Sequence, residues 1–120
     1  MIMDTEKLLT LVKNALEDKK ATDIKVLNVR KYCSFTDFMV VATGKSARQT
    51  IALAQHVVEQ AKTSGHRPLG EEGSNTGDWV LVDLGDLIVH VMQPETRELY
   101  QLEKLWSEIG GDTRLNQLSG

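Results

Sequence analysis

The chain has one cysteine, two prolines and two each of Trp, Tyr and Phe among its 120 residues, and each scarcity excludes something. A single cysteine, Cys33, allows no intramolecular disulfide, so the fold is not a stapled secreted scaffold and a reducing cytoplasm suits it. Nothing beside Cys33 in the sequence would stabilise a thiolate, so it reads as a small packing residue rather than a nucleophile. No apolar run approaches the roughly 18 residues that a membrane span needs. Met1-Ile2-Met3-Asp4 puts no basic region before an apolar one, so it does not read as a signal peptide. The formal net charge of −3 argues against DNA or other nucleic acid captured broadly, which takes several Lys or Arg against phosphates. It leaves a basic protein partner open. What remains is ordinary for a globular chain, with 41% hydrophobic and 26% charged residues. The length suits one domain that folds without staples.

The stretch Asp78 to Trp106 organises the rest. Two apolar runs, Trp79–Val82 and Leu87–Met92, flank Asp83-Leu84-Gly85-Asp86. Gly85 takes a positive φ without steric cost and Asp tolerates turn geometry, so the three segments read as a hairpin. Gln93-Pro94 stops the second strand, and Pro94 suits the first turn of a helix. Leu99, Leu102, Trp106 and Ile109 give that helix an apolar stripe.

Upstream, residues 4–19 read as a helix capped by Asp4 or Thr5, with Leu8, Leu11, Val12, Ala15 and Leu16 on one buried face. Ile24–Val29 is a short strand, and Tyr32–Thr36 a polar and aromatic connection. Phe38–Ala42 is apolar at every position, as a strand covered on both faces should be. Ser46-Ala47-Arg48-Gln49 is a capping box that opens a helix with Ala47, Ile51, Ala54, Val58 and Ala61 on its packing face, ending at Gly65. Residues 66–78 read as a long loop, a common place for function. The expected fold is therefore a single α/β domain of order α-β-β-α-β-β-α, with helices packed on a mixed four-stranded sheet over residues 4–109 and a loose tail at 110–120. Phe38–Ala42, the helix after it and Trp79–Val82 are expected to form a right-handed crossover.

The chemistry-bearing groups are sparse. Gly44-Lys45-Ser46 resembles the end of a phosphate loop, but Met39 stands where the first glycine is needed, so capping is the better reading. Asp83 and Asp86 flank a turn and need not converge on a metal; no metal site or cofactor is expected. His90, inside an apolar strand with no second His or Cys near it, reads as a hydrogen-bonded core or edge histidine. His56 and His66 read as helix surface and helix end. Trp106 on the helical stripe reads as core. For Trp79 and Tyr100, core packing and interface anchoring both stay open. Glu71, Glu72, Asp78, Asp83 and Asp86 form either a solvated rim or a docking patch for a basic surface.

Several blocks together resemble one family. They are Thr36–Gln49 (TDFMVVATGKSARQ), Pro68–Gly73 (PLGEEG), Asp78–His90 (DWVLVDLGDLIVH) and Arg97–Trp106 (RELYQLEKLW). Each is weak alone; in combination they are similar to the ribosomal silencing factor, or Iojap, family over about residues 4 to 107. The resemblance implies a nucleotidyltransferase-like fold without the catalytic acids, and hence a binding protein rather than an enzyme. It implies binding to the fourteenth protein of the large ribosomal subunit, uL14, steric blocking of the surface that meets the small subunit, and lower translation in starvation. A homodimer also fits the family. By resemblance the docking surface falls on Trp79, Tyr100 and the nearby acids Asp78, Asp83, Asp86, Glu71 and Glu72. The alternatives are a metal-dependent nucleotidyl-transfer enzyme using Asp83 and Asp86, and an assembly factor for the large subunit.

Overall fold

The structure, a computed structural model, describes residues 4–31, 34 and 36–101, the side chain of Tyr100 excepted. Cys33, Leu102, Trp106, Ile109 and the tail at 110–120 lie outside the described residues.

Helix α1 (Thr5–Asp18) starts where Asp4 accepts the Glu6 N–H at 2.9 Å. Leu8, Val12, Ala15 and Leu16 recur at helical spacing and are buried, with Leu11 at the margin of the face. Strand β1 (Thr22–Asn28) follows, broken by a register shift between Thr22 and Lys25. Asp23 lies in the left-handed region at this irregularity. Strand β2 (Phe38–Thr43) is the apolar run and is almost wholly buried. Helix α2 (Ala47–Thr63) is capped by Ser46, whose Oγ accepts the Gln49 N–H at 3.1 Å. The return bond of the capping box goes one residue earlier than in the standard motif: Gln49 Oε1 accepts from Lys45 N–H at 2.6 Å.

The packing face of α2 is rotated from the one expected. Thr50, Leu53, Ala54, Val57 and Ala61 are buried, while Ala47, Ile51 and Val58 are half-buried. Ala54 and Ala61 stay in the face, while Leu53 and Val57 take the buried positions expected of Ile51 and Val58. Thr50 is buried with them, its one hydroxyl hydrogen shared between the carbonyls of Ala47, at 2.8 Å, and Gly77.

The expected long loop contains a short strand, β3 (Gly70–Glu72), so the sheet has five strands among the described residues rather than four. Three residues that begin with one glycine and are followed by another carry no periodicity to read, and only the pairing with β4 (Trp79–Asp83) reveals them. Gly85 turns the hairpin at φ 89° into β5 (Leu87–Met92). The order is β1-β2-β5-β4-β3. The expected crossover from β2 through α2 to β4 does not form: β2 pairs in parallel with β5, and β4 is antiparallel to β5 and not a neighbour of β2. The hairpin inserts its more apolar strand into the centre, where both faces are covered.

Helices α1 and α2 pack together on the sheet face that carries Val40, Ala42, Val80, Val82, Leu87, Val89 and Val91. Helix α3 (Pro94–Tyr100) begins at Pro94 as expected. It closes at Tyr100 with Gln101 in the left-handed conformation. Of the expected apolar stripe only Leu99 is among the described residues: it is 76% exposed, and buried Arg97 takes the inward position there. Arg97 Nη1 donates to Thr43 Oγ1 at 2.7 Å and to the Asp23 carbonyl at 2.5 Å, tying α3 to the end of β2 and to the irregularity in β1.

Candidate functional site

Residues paired across strands share a side of the sheet, which sorts the side chains into two sets. The face away from α1 and α2 carries the cross-strand row Lys25, Val41, His90, Leu81 and Glu72. Next to it lie Thr43, Met92 and Trp79 on one side, and Met39, Ile88, Asp83 and Gly70 on the other. At its centre the face is buried; toward β4 and β3 it opens, with Trp79, Leu81 and Asp83 half-buried and Glu72 exposed.

Trp79 and His90 are diagonal neighbours on this face. The indole Nε1–H donates to His90 Nδ1 at 3.0 Å, with the rings tilted and their centroids 5.8 Å apart. An indole N–H only donates, so Nδ1 carries the lone pair and the proton of the neutral ring is on Nε2. Nε2 is buried and has no hydrogen-bond partner among the described residues. An orphaned buried donor costs about 1–3 kcal/mol. Burial lowers the pKa of His90 from 6.5 to about 4, because the protonated ring is poorly solvated there. Near neutral pH the ring is therefore uncharged and Nδ1 stays an acceptor.

The backbone around Trp79 is closely set. Gly73, at φ 88°, lies so near the Trp79 carbonyl that a Cβ would come within 2.0 Å of its oxygen. The peptide at Gly77-Asp78 is held from two elements: Thr50 of α2 and Gln93 both donate to the Gly77 carbonyl, and the Gln93 N–H donates to the Asp78 carbonyl at 3.0 Å.

Of the residues expected to form a docking patch, the structure gathers some and separates others. Trp79, Glu72 and Asp83 share one side of the sheet, Glu72 lying beside Leu81 and diagonal to Trp79. Asp83 also accepts the Gly85 N–H at 2.9 Å within the turn. Glu71, paired with Val82, is on the opposite side. Asp78 is exposed at the corner before β4, where its carboxylate accepts from Gln93 Nε2 at 3.1 Å. Asp86 is exposed at the far end of the hairpin and accepts from Thr5 Oγ1 at 3.2 Å, while its carbonyl receives the N–H groups of Asp37 and Phe38. Asp83 and Asp86 thus serve different elements. Tyr100 ends α3, and its side chain lies outside the described residues.

Two further residues matter that the sequence did not single out for this role. His90 reads from sequence as hydrogen-bonded, but its partner follows only from the register of the hairpin. Arg97 carries no local signal at all. A groove of about 630 Å³ opens beside it, lined in part by Thr22, Asp23, Lys45 and Glu98, which mix both signs of charge. His66 stands at the end of α2 as expected, its N–H donating to the Ala61 carbonyl at 2.8 Å, and it is buried there: its Nε2 donates to the Leu84 carbonyl at 2.7 Å, linking the helix to the hairpin turn. His56 is half-buried on α2, 3.5 Å from Asp18 Oδ2.

Among the described residues no group of three or more His, Cys, Asp or Glu is placed to hold a metal ion, and no helix is long and apolar enough to cross a membrane. Thr50, His66, His90 and Arg97, the buried polar side chains discussed above, each bind another element or a neighbouring strand. The class so defined is a single α/β domain on a mixed sheet, with half-buried Trp79 and Asp83 and exposed Glu72 on the side of β4 and β3 away from the helices.

The chain belongs to the ribosomal silencing factor family. The family profile described as "Ribosomal silencing factor during starvation" matches residues 2–119. A ribosomal silencing factor RsfS of Haemophilus influenzae is 47% identical over 100 residues, covering 83% of this chain and 98% of that protein. A mouse protein named for mitochondrial assembly of the ribosomal large subunit is 36% identical, over 87% of this chain and 47% of its own length. A crystal structure of a Chromobacterium violaceum protein superposes with a TM-score of 0.86 at 45% identity, over 88% of each chain.

Proposed function

We propose that the protein binds the large ribosomal subunit in the cytoplasm through uL14 and blocks joining with the small subunit by occupancy, repressing translation without turning over a substrate. The observation that carries this reading is Trp79. It is a large aromatic side chain left half-buried, oriented by His90, with Glu72 and Asp83 on the same side of the sheet. An aromatic anchor with a rim of one charge is the usual anatomy of a docking surface, and the acids suit a basic ribosomal protein. Family membership supports the ribosome as the target, and the motif blocks that resemble the family support uL14 as the contact.

Adding the protein to separated subunits should lower joining, followed by light scattering, in proportion to the fraction of large subunits occupied. Excess small subunits should compete, since both bind reversibly. Silencing of many subunits by each molecule, or a requirement for a nucleotide, would instead support the enzymatic alternative. A second reading, assembly of the large subunit, is favoured by the name of the mouse relative. It is distinguished by when the protein binds: an assembly factor accumulates on immature particles, a silencing factor on mature ones.

A further inference from the structure

His90 is an odd residue for its place. It lies in the middle of β5, the most buried strand of the sheet, between Val89 and Val91, and is 5% exposed. A branched aliphatic residue would suit that position better by every criterion of packing. Instead the fold keeps an imidazole with one nitrogen unpartnered among the described residues. Its other nitrogen makes one bond, to the indole of Trp79. A group that weakens the core and touches the candidate anchor is explained by what it does for the anchor.

The chemistry of that bond has a consequence for whatever meets Trp79. An indole has a single hydrogen-bond donor and no acceptor. His90 Nδ1 takes the donor, and at 3.0 Å it fixes the ring against rotation about its side-chain bonds. We propose that His90 is the positioning residue of the docking surface, holding the Trp79 indole in its bound orientation and consuming its only donor, so that the partner meets Trp79 through ring carbon. The complementary group on the partner is then aliphatic, or the apolar stem of a lysine or arginine, and not a hydrogen-bond acceptor. Glu72 and Asp83 on the same face would take the charged end of such a stem. This inference rests on the reading of Trp79 as the docking anchor.

The test uses the full chain and purified large ribosomal subunits, with affinity read by co-sedimentation. His90→Leu keeps the bulk but removes the acceptor, and should bind about tenfold more weakly because the anchor is no longer pre-oriented. His90→Asn, whose Oδ1 can stand in for Nδ1, should restore binding to within about threefold. Trp79→Phe should also stay within about tenfold, because the partner needs ring carbon and not the N–H. In the double variant the His90→Leu effect should vanish, since no indole remains to be held. An independent readout is the indole ¹H–¹⁵N resonance of Trp79, assigned with Trp106→Phe; it should move in His90→Leu and return toward its native position in His90→Asn.

Several results would overturn the proposal. His90→Leu binding as well as the native chain while Trp79→Ala fails to bind would remove the positioning role and leave the docking reading intact. Full binding by Trp79→Ala would remove both. If His90→Leu does not fold, the decision passes to folded variants: weak binding by His90→Asn with an undisturbed indole resonance, or loss of binding by Trp79→Phe beyond that of Trp79→Ala, would each defeat it.

Discussion

The two faces of the sheet are built from the same strands and do different things. The face under α1 and α2 is aliphatic at every central position, from Val40 and Ala42 through Val89 and Val91 to Val80 and Val82. The other face alternates with it residue by residue and carries Thr43, His90, Trp79, Asp83 and Glu72. Two helices cover the first face; its side chains are interchangeable in chemistry and constrained only in volume. On the second, individual atoms matter, because a donor or acceptor in a buried setting has to find a partner. Stability should therefore be concentrated on one side of the strands and recognition on the other.

The largest effect should come from the helix-covered face. Leu53→Ala removes a fully buried side chain from α2 and should cost about 2–5 kcal/mol of unfolding free energy. The partner affinity of the folded fraction should be unchanged. Urea unfolding alongside co-sedimentation would check both, and a loss of affinity without a loss of stability would break the division between the faces.

The next effect is pH-dependent and belongs to His90. Its folded pKa is depressed to about 4 from 6.5, so the unfolded chain binds the proton more readily. The contribution of the neutral buried ring is complete above about pH 6.5, declines as the pH falls toward 4, and is lost below that, amounting to about 3 kcal/mol. Denaturation midpoints measured between pH 7 and 4 should fall more steeply for the native chain than for His90→Leu. Parallel curves would show that another group carries the acid sensitivity.

Trp79→Ala should weaken binding to large subunits by at least about 2 kcal/mol while the chain stays folded. Unfolding with undiminished affinity in the folded fraction would make Trp79 a core residue and not an anchor. The smallest effect should separate two adjacent acids. Glu72→Lys, on the Trp79 side, should slow association more than Glu71→Lys on the other side, and the difference should shrink as salt rises. Asp78→Lys at the corner should lie between them. Equal rates for Glu71→Lys and Glu72→Lys in stopped-flow measurements would show that only net charge matters.

Much of this architecture was legible in the order of residues. The Asp4-Thr5 pair, of which the structure uses Asp4, and Ser46 announced their helices because a side-chain oxygen before an apolar periodic stretch has one obvious use. The all-apolar run at Phe38–Ala42 marked a central strand, and Gly85 between two acids marked the hairpin. The family was legible too, because several motif blocks recur in one order. Local patterns of this kind depend on neighbours within a turn of helix or a pair of strand residues, and those neighbours are in the sequence.

Long-range choices were decided only by the tertiary structure. β5 rather than β4 lies beside β2, because the sheet centre goes to the strand that tolerates cover on both faces. Gly70–Glu72 becomes a strand because β4 offers it an edge. Arg97 displaces Leu99 from the inner side of α3 because a carbonyl in β1 and a hydroxyl in β2 happen to meet there. The same holds at the candidate site: Trp79 and His90 are eleven residues apart, and their contact exists only because the hairpin register sets them diagonally on one face. Composition and periodicity determine which segments form and which residues seek cover, since those depend on each residue's own solvation and backbone preference. Which polar atom meets which depends on distances between segments, and those arise only when the whole chain packs.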